Sequence, residues 1–471
     1  VFAKGSHFSQ IRHIAIDNLS TSQVIVDGCS FDNITTCGVN VCGQGHSALV
    51  RSSKFTTCNL AGIKATSNGT IRSLDNHFID IGSNVMILAD NAGLIQAEKN
   101  KFEGTSLSSI GAFSNGHIQC RDLNFINIKG HAFLSYDKGK IEAESCLVET
   151  QSTQPAVHVR DFSEIKFRQV IINGGQSTGI FISDNSTGEI VDTKVQNTAT
   201  IGIELARLNS FKVQNCDFSN NKVAGISVHD TMSAVFENCE ICNNGNIGCD
   251  VSSSNTSPQF INCHFNNNKE AGCMCQDGPT PQFIRCTFDS SPKIGFCVKA
   301  AKPRLENCVF SHNGSAGISV YAGSNAVFTK CEFDSNANFA GQIFGNSSYC
   351  KLADCKVNNH PQSVAFYISD KAKLRCVNTS LVNSGQLHFS VQNATLSCRN
   401  CDMGESKGTG IQLVNSTLKM KQTTIHECQK VAMIVGNQGN VKILDNSSIK
   451  NNKQAGIICF TDSNVMVKES T

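Results

Sequence analysis

The chain has 471 residues, with 40 Lys and Arg against 38 Asp and Glu, 24 Cys, 28 Phe, 7 Pro and no Trp. A formal net charge of +2 on that length gives no whole-chain field for a polyanion or an acidic membrane surface, so nucleic-acid or lipid-surface binding needs a local cause, and the sequence alone supplies none. Nothing approaches the ~20 consecutive apolar residues of a spanning helix, and the first thirty residues lack the basic-then-apolar run of a secretory signal. The chain opens on Val1 and stops within the strand-like Val465-Met466-Val467-Lys468, so both ends read as cut from something longer.

No Pro/Gly/Ser-rich linker or charge block divides the sequence, which is expected to form one continuous domain over 1–471. A small residue opening an apolar alternation recurs instead. From the N-terminus it is Gly38, Gly62, Asn84, Gly111, Ala132, Ala156, Gly179, Gly202, Gly225, Gly248, Gly272, Gly295, Gly317, Gly341, Ala365, His388, Gly410, Ala432 and Gly456. The step averages about 23 residues, within the range of repeat solenoids. The repeats are clearest over 179–365, and the register is weakest between 84 and 132.

Other columns keep the same step. Cys216, Cys239, Cys263, Cys286, Cys308, Cys331 and Cys355 precede the small residue, and Phe218, Ile241, Phe265, Phe288, Phe310 and Phe333 stand two places after the Cys. Asn221, Asn244, Asn268 and Asn313 lie four places before the glycine. Apolar residues at a spacing of two mark strands, and nothing sustains a helical period. Three short strands and three bends in ~23 residues make one turn of a coil, with like residues stacked ~4.8 Å apart. The expected fold is all-β, a single-stranded right-handed parallel β-helix of about 19 coils. Asn is expected at the bends, where it tolerates left-handed backbone angles and passes amide hydrogen bonds between coils.

The runs FENCEICNNGNIGCDV, FINCHFNNNKEAGCMC and LENCVFSHNGSAGISV resemble the β-helix repeats of the pectin-lyase-like superfamily, most of all those of F-box β-helix proteins and related eukaryotic scaffolds. That resemblance implies a non-enzymatic scaffold binding a protein or glycan partner on its outer faces, with substrate recognition in a ubiquitin-ligase setting as its analogy. The alternatives are a polysaccharide lyase, hydrolase or epimerase, and a secreted or surface adhesin. The polygalacturonase set of the superfamily is missing: Gly45-His46-Ser47 and Gly116-His117-Ile118 lack the last glycine, and no Asp-Asp occurs.

In-register cysteines have Cβ atoms too far apart for disulfides, so the column is expected to hold free thiols acting as small hydrophobes, which favours a reducing, cytoplasmic setting. The CxxC pairs Cys239/Cys242 and Cys398/Cys401 lie too far apart in sequence to share a zinc ion. The densest polar constellation follows the small-residue column at Ala132, Ala156, Gly179 and Gly202. Tyr136, His158, Arg160, Asp161, Glu204 and Arg207 are the candidate catalytic residues for carbohydrate chemistry, and Asp137, Asp161 and Asp184 a candidate calcium site. The same aspartates also suit simple turns, because Asp230, Asp277 and Asp370 recur at that place without such neighbours.

Overall fold

A computed structural model describes residues 1–79, 85–104, 107–360 and 364–471; Asn84 of the small-residue column lies outside them. Every regular element among the described residues is a β-strand. The chain winds as a parallel β-solenoid of about 20 turns with about 23 residues per turn. It falls into two compact units, Val1–Ser227 with Thr231–Val235, and Val228–Asp230 with Phe236–Thr471.

Each unit is built from three parallel sheets, here the first, second and third in the order the chain visits them within a coil. In the first unit, Thr70–Leu74 pairs with Leu94–Glu98 in the first sheet, Ile71 facing Ile95. In the second sheet Phe55, Phe78 and Phe102 align. In the third, Ile63 of Ala61–Thr66 aligns with Ile87 of Val85–Ala89. The second unit repeats the plan with Phe260 on Phe283, Phe288 on Phe310, and Cys273 on Phe296.

Alternation decides which side chains fill the tube. Phe8, Phe31, Phe55, Phe78, Phe102 and Phe125 form one stack in the first unit, centroids 4.5–5.1 Å apart and nearly parallel. In the second unit Phe265, Phe288, Phe310 and Phe333 stack at 4.9–5.0 Å, and Phe283 and Phe296 meet them edge-on. Offset and edge-to-face contacts suit the ring quadrupoles, and each ring also removes a large apolar area from water.

The asparagine and glycine columns have one joint cause. Asn244 Nδ2 donates to Asn268 Oδ1 at 3.0 Å, and Asn268 Nδ2 donates to the Ile241 carbonyl at 2.8 Å. A Cβ on Gly248 would come within 2.6 Å of Asn268 Nδ2 and 2.3 Å of the Gly272 carbonyl, and one on Gly295 within 2.8 Å of Asn313 Nδ2. The glycine is therefore the space in which the buried amide ladder sits. The ladder residues themselves are not left-handed. That conformation belongs to the residue before each one, Asn220, Asn243, Asn267 and His312, with φ of 52–60°. A second left-handed bend precedes each column cysteine, at Asn238, Asn262 and Asn307 among others.

All 24 cysteines are free, and only Cys42, Cys242 and Cys459 fall short of full burial. Column thiols donate to carbonyls of the preceding coil, Cys286 to Phe260 at 3.3 Å and Cys308 to Phe283 at 3.5 Å. Burial raises the thiols of Cys263, Cys286 and Cys331, which keeps them protonated and unreactive.

Candidate functional site

The residues singled out in the sequence lie on the third sheet of the first unit and in the bend after it. Tyr136, closing His131–Tyr136, stacks on Phe113 at 4.0 Å, and the Arg160 guanidinium lies 5.6 Å from the tyrosine ring centroid. Arg160 also reaches Asp161, 3.5 Å away. His158, in Val157–Val159, lies between the rings of His131 and Phe181, and burial lowers it to about 4. Glu204 occupies Ile201–Ala206 in register with Phe181. Arg207 donates to Asp184 at 2.7 Å and, with Ser183, holds that carboxyl below its ordinary range. The structure thus joins Tyr136 to Arg160, Arg160 to Asp161, and Arg207 to Asp184.

Asp137, Asp161 and Asp184 share a left-handed bend, with φ of 51°, 58° and 55°, as do Asp230, Asp277 and Asp370. Among the described residues no three His, Cys, Asp or Glu side chains converge as metal ligands. Ser183 and Ala206, which directly precede the bend residues Asp184 and Arg207, are buried.

A second polar surface lies on the first sheet of the same unit, where sequence reasoning did not look. Its strands are Thr70–Leu74, Leu94–Glu98, His117–Arg121, Lys140–Glu144, Glu164–Arg168 and Thr187–Val191, all in register. The even positions fill the tube, so the odd ones face out in three rows. The middle row reads Arg72, Gln96, Gln119, Glu142, Lys166 and Glu189, and with Glu98, Arg121, Glu144 and Arg168 it lines a groove of about 600 Å³. Gln96 donates to Gln119 at 3.1 Å, and Gln119 to Glu142 at 3.1 Å.

The adjoining row supplies titratable groups. Lys140 sits 2.9 Å from Glu142 and 3.4 Å from Glu164, and the hydrogen bond to Glu142 leads the causes that raise its ammonium. Burial works to raise the Glu142 carboxyl, but hydrogen bonds from Lys140 and Gln119 outweigh it and the net shift is downward. Burial lowers His117, opposed by Glu142, so its imidazole is neutral near pH 7. Its Nε2 lies 3.6 Å from Glu142 Oε2 and has no hydrogen-bond partner among the described residues. A neutral base and an ammonium in the row beside the groove therefore flank the ionised Glu142 that lines it.

Five overlapping stretches, together running from residue 108 to 471, match the family model described as right handed beta helix region. The chain belongs to that family. No curated protein matches the sequence. Among solved structures, this right-handed β-helix is similar to a periplasmic alginate epimerase, at 11% identity over 76% of this chain and 78% of that one, with a TM-score of 0.40. It is similar also to tailspike protein 2 of Escherichia coli O157:H7 bacteriophage CAB120, at 11% identity over 65% and 39%, TM-score 0.36. A mannuronan C-5 epimerase module from Azotobacter vinelandii overlaps at 14% identity over 96% and 90%, TM-score 0.28. These likenesses concern the winding of the chain alone.

Proposed function

We propose that the chain is a carbohydrate-active β-helix that takes an extended polysaccharide strand along the first-sheet groove of its first unit. The observation that carries this reading is the in-register middle row from Arg72 to Glu189. It offers an amide, carboxylate or cation at every coil, ~4.8 Å apart, to a ligand that is itself a row of hydroxyl and charged groups. Arg168 and Glu189 have no ionic partner among the described residues and are open to a ligand. The ubiquitin-ligase setting is left aside, since no feature of either unit favours it.

Turnover rests on a further observation, the neutral His117 beside Lys140 and Glu142. Abstraction of the proton α to a uronate carboxyl needs a neutral base and a cation that offsets the developing charge. We assign those two functions to the part-exposed His117 imidazole and the Lys140 ammonium. Titration calorimetry with neutral and acidic oligosaccharides of six or more units is the test. At least one should bind, and Gln119→Ala with Glu142→Gln should weaken it at least tenfold. His117→Ala should abolish turnover and spare binding. Failure of every oligosaccharide to bind, or binding indifferent to the Gln119/Glu142 change, overturns the reading. Binding without turnover leaves a scaffold that holds a glycan.

A further inference from the structure

The first sheet of the second unit presents a different outer face. Its last six strands are Tyr349–Ala353, Lys373–Val377, Thr395–Arg399, Thr417–Lys421, Asn440–Leu444 and Asn464–Lys468, paired in register. The middle outward row is Lys351, Arg375, Ser397, Lys419, Lys442 and Met466. The rows beside it add Lys373, Arg399, Lys421 and Lys468. No outward position on these strands is a carboxylate. Lys421 pairs with Asp445 and Lys468 with Glu469, both in the bend after the sheet. Lys351, Lys373, Arg375, Arg399, Lys419 and Lys442 have no acidic partner within 4.0 Å among the described residues. From residue 351 to the end the chain carries 14 Lys and Arg against 8 Asp and Glu, whereas residues 1–350 carry 26 against 30, so the near-zero total hides a basic region.

We propose that this face binds duplex nucleic acid through its phosphate backbone. Like charges held in register repel one another and lower stability unless a polyanion lies across them. Between the cations stand Ser397, Thr395, Thr417, Asn440 and Asn464, the hydroxyl and amide donors that accompany Lys and Arg at phosphates. At one margin Lys371, Lys373, Asn393, Thr395, Asn415 and Thr417 line a depression of about 380 Å³ with no acidic group in it. The strip is ~13 Å across its three rows and ~24 Å along six strands, so its middle row, with Lys351, Arg375, Lys419 and Lys442, can follow one phosphate ridge of a duplex while Lys373 and Arg399 border it. Tyr349 is the one aromatic side chain in these rows, so the face offers no series of stacking platforms for unpaired bases, which selects a duplex over a single strand.

Fluorescence anisotropy with a labelled 20-base-pair DNA, the same duplex as RNA, and the corresponding single strand tests this across a salt series. At least one duplex should bind more tightly than the single strand, and the two duplex arms decide which kind is preferred. Combining Arg375→Ala, Lys419→Ala and Lys442→Ala, all exposed positions, should weaken duplex binding at least tenfold. The slope of log K against log salt should fall by about 2.7, near 0.9 per lost phosphate contact. Lys430→Ala, an exposed lysine outside these strands, should change neither. Circular dichroism confirms that the triple variant is folded. The proposal is overturned by absence of duplex binding, by an unchanged salt slope in the triple variant, or by tighter binding of the single strand. It is equally overturned if polygalacturonate or phosphatidylserine vesicles compete better than duplex at equal charge.

Discussion

The first sheets of the two units are built on one inner plan and carry opposite outer designs. Between Thr70 and Val191 the outward rows hold five acids and five Lys or Arg, tied by pairs such as Arg121 with Glu144 at 3.0 Å and Lys166 with Glu164 at 3.1 Å. Between Tyr349 and Lys468 they hold eight Lys or Arg and no acid. Inside, both bury apolar side chains at most alternate positions, Ile71, Ile95 and Ile118 in one, Leu374, Leu396 and Leu418 in the other. The lesson is physical: winding is fixed by what the tube must exclude from water, while an exposed charge contributes little to stability and is free to follow a ligand.

The strongest way to test that separation is to damage the tube. Phe78→Ala, between Phe55 and Phe102, and Phe288→Ala, stacked on Phe265 and Phe310, should each cost about 3–5 kcal/mol in urea unfolding. Ligand binding by the folded fraction should stay at the wild-type level at both faces. A loss under ~1 kcal/mol at either site is too small for a closed aromatic stack and breaks the shared-core half of the comparison.

Acid should act next most strongly, and on the second unit in particular. His360 and His388 are fully buried there, with His360 Nδ1 and His388 Nε2 lacking hydrogen-bond partners among the described residues. Burial lowers His360 to about 4, opposed by Asp334, and lowers His388 to about 3 with added repulsion from His426. An unfolded histidine protonates near ~6.5, so between that pH and the folded values the unfolded chain binds more protons. Stability is therefore complete above ~6.5 and falls as pH drops, by on the order of 1.4 kcal/mol per unit for each histidine, until the folded values are passed. His360 continues the amide ladder, its Nε2 3.5 Å from Asn336 Nδ2, so His360→Asn should fold and flatten the acid limb of a melting-temperature profile. An unchanged limb would show that His360 is not the group that charges.

These contrasts differ in how far the sequence discloses them. The Cys, Phe, Asn and Gly columns are legible because the same pocket recurs every coil and selects the same residue type. The Phe stack from Phe8 to Phe125 obeys that rule at a spacing of 23 or 24, through the stretch where the glycine column alone looks irregular. The left-handed role given to the ladder asparagines belongs to their neighbours, because backbone angle and side-chain burial are separate demands that fall on adjacent residues. The outer rows are not legible as columns, since water imposes no recurring choice on Glu142, Lys166 and Glu189. Only the register of the buried Ala143, Phe167 and Ile190 beside them places them side by side.

The smallest expected effect separates the faces by sign. Lys140 bridges Glu142 and Glu164 on the balanced face, and all three side chains are about 30% exposed. Lys140→Gln removes a cation between two carboxylates and should destabilise by under ~1 kcal/mol, the range for pairs that water screens. Without its hydrogen bond from Lys140 the Glu142 carboxyl should titrate higher, as NMR of its side-chain carbon reads directly. On the basic face, Lys442→Gln removes a charge whose row neighbour is Lys419 and which has no acidic partner, so stability should hold or rise slightly. Salt near 1 M shortens the screening length to ~3 Å and should shrink both differences. Two losses of equal size would mean that the charges around Lys442 are balanced in solution, and the case for a polyanion on that face would go with them.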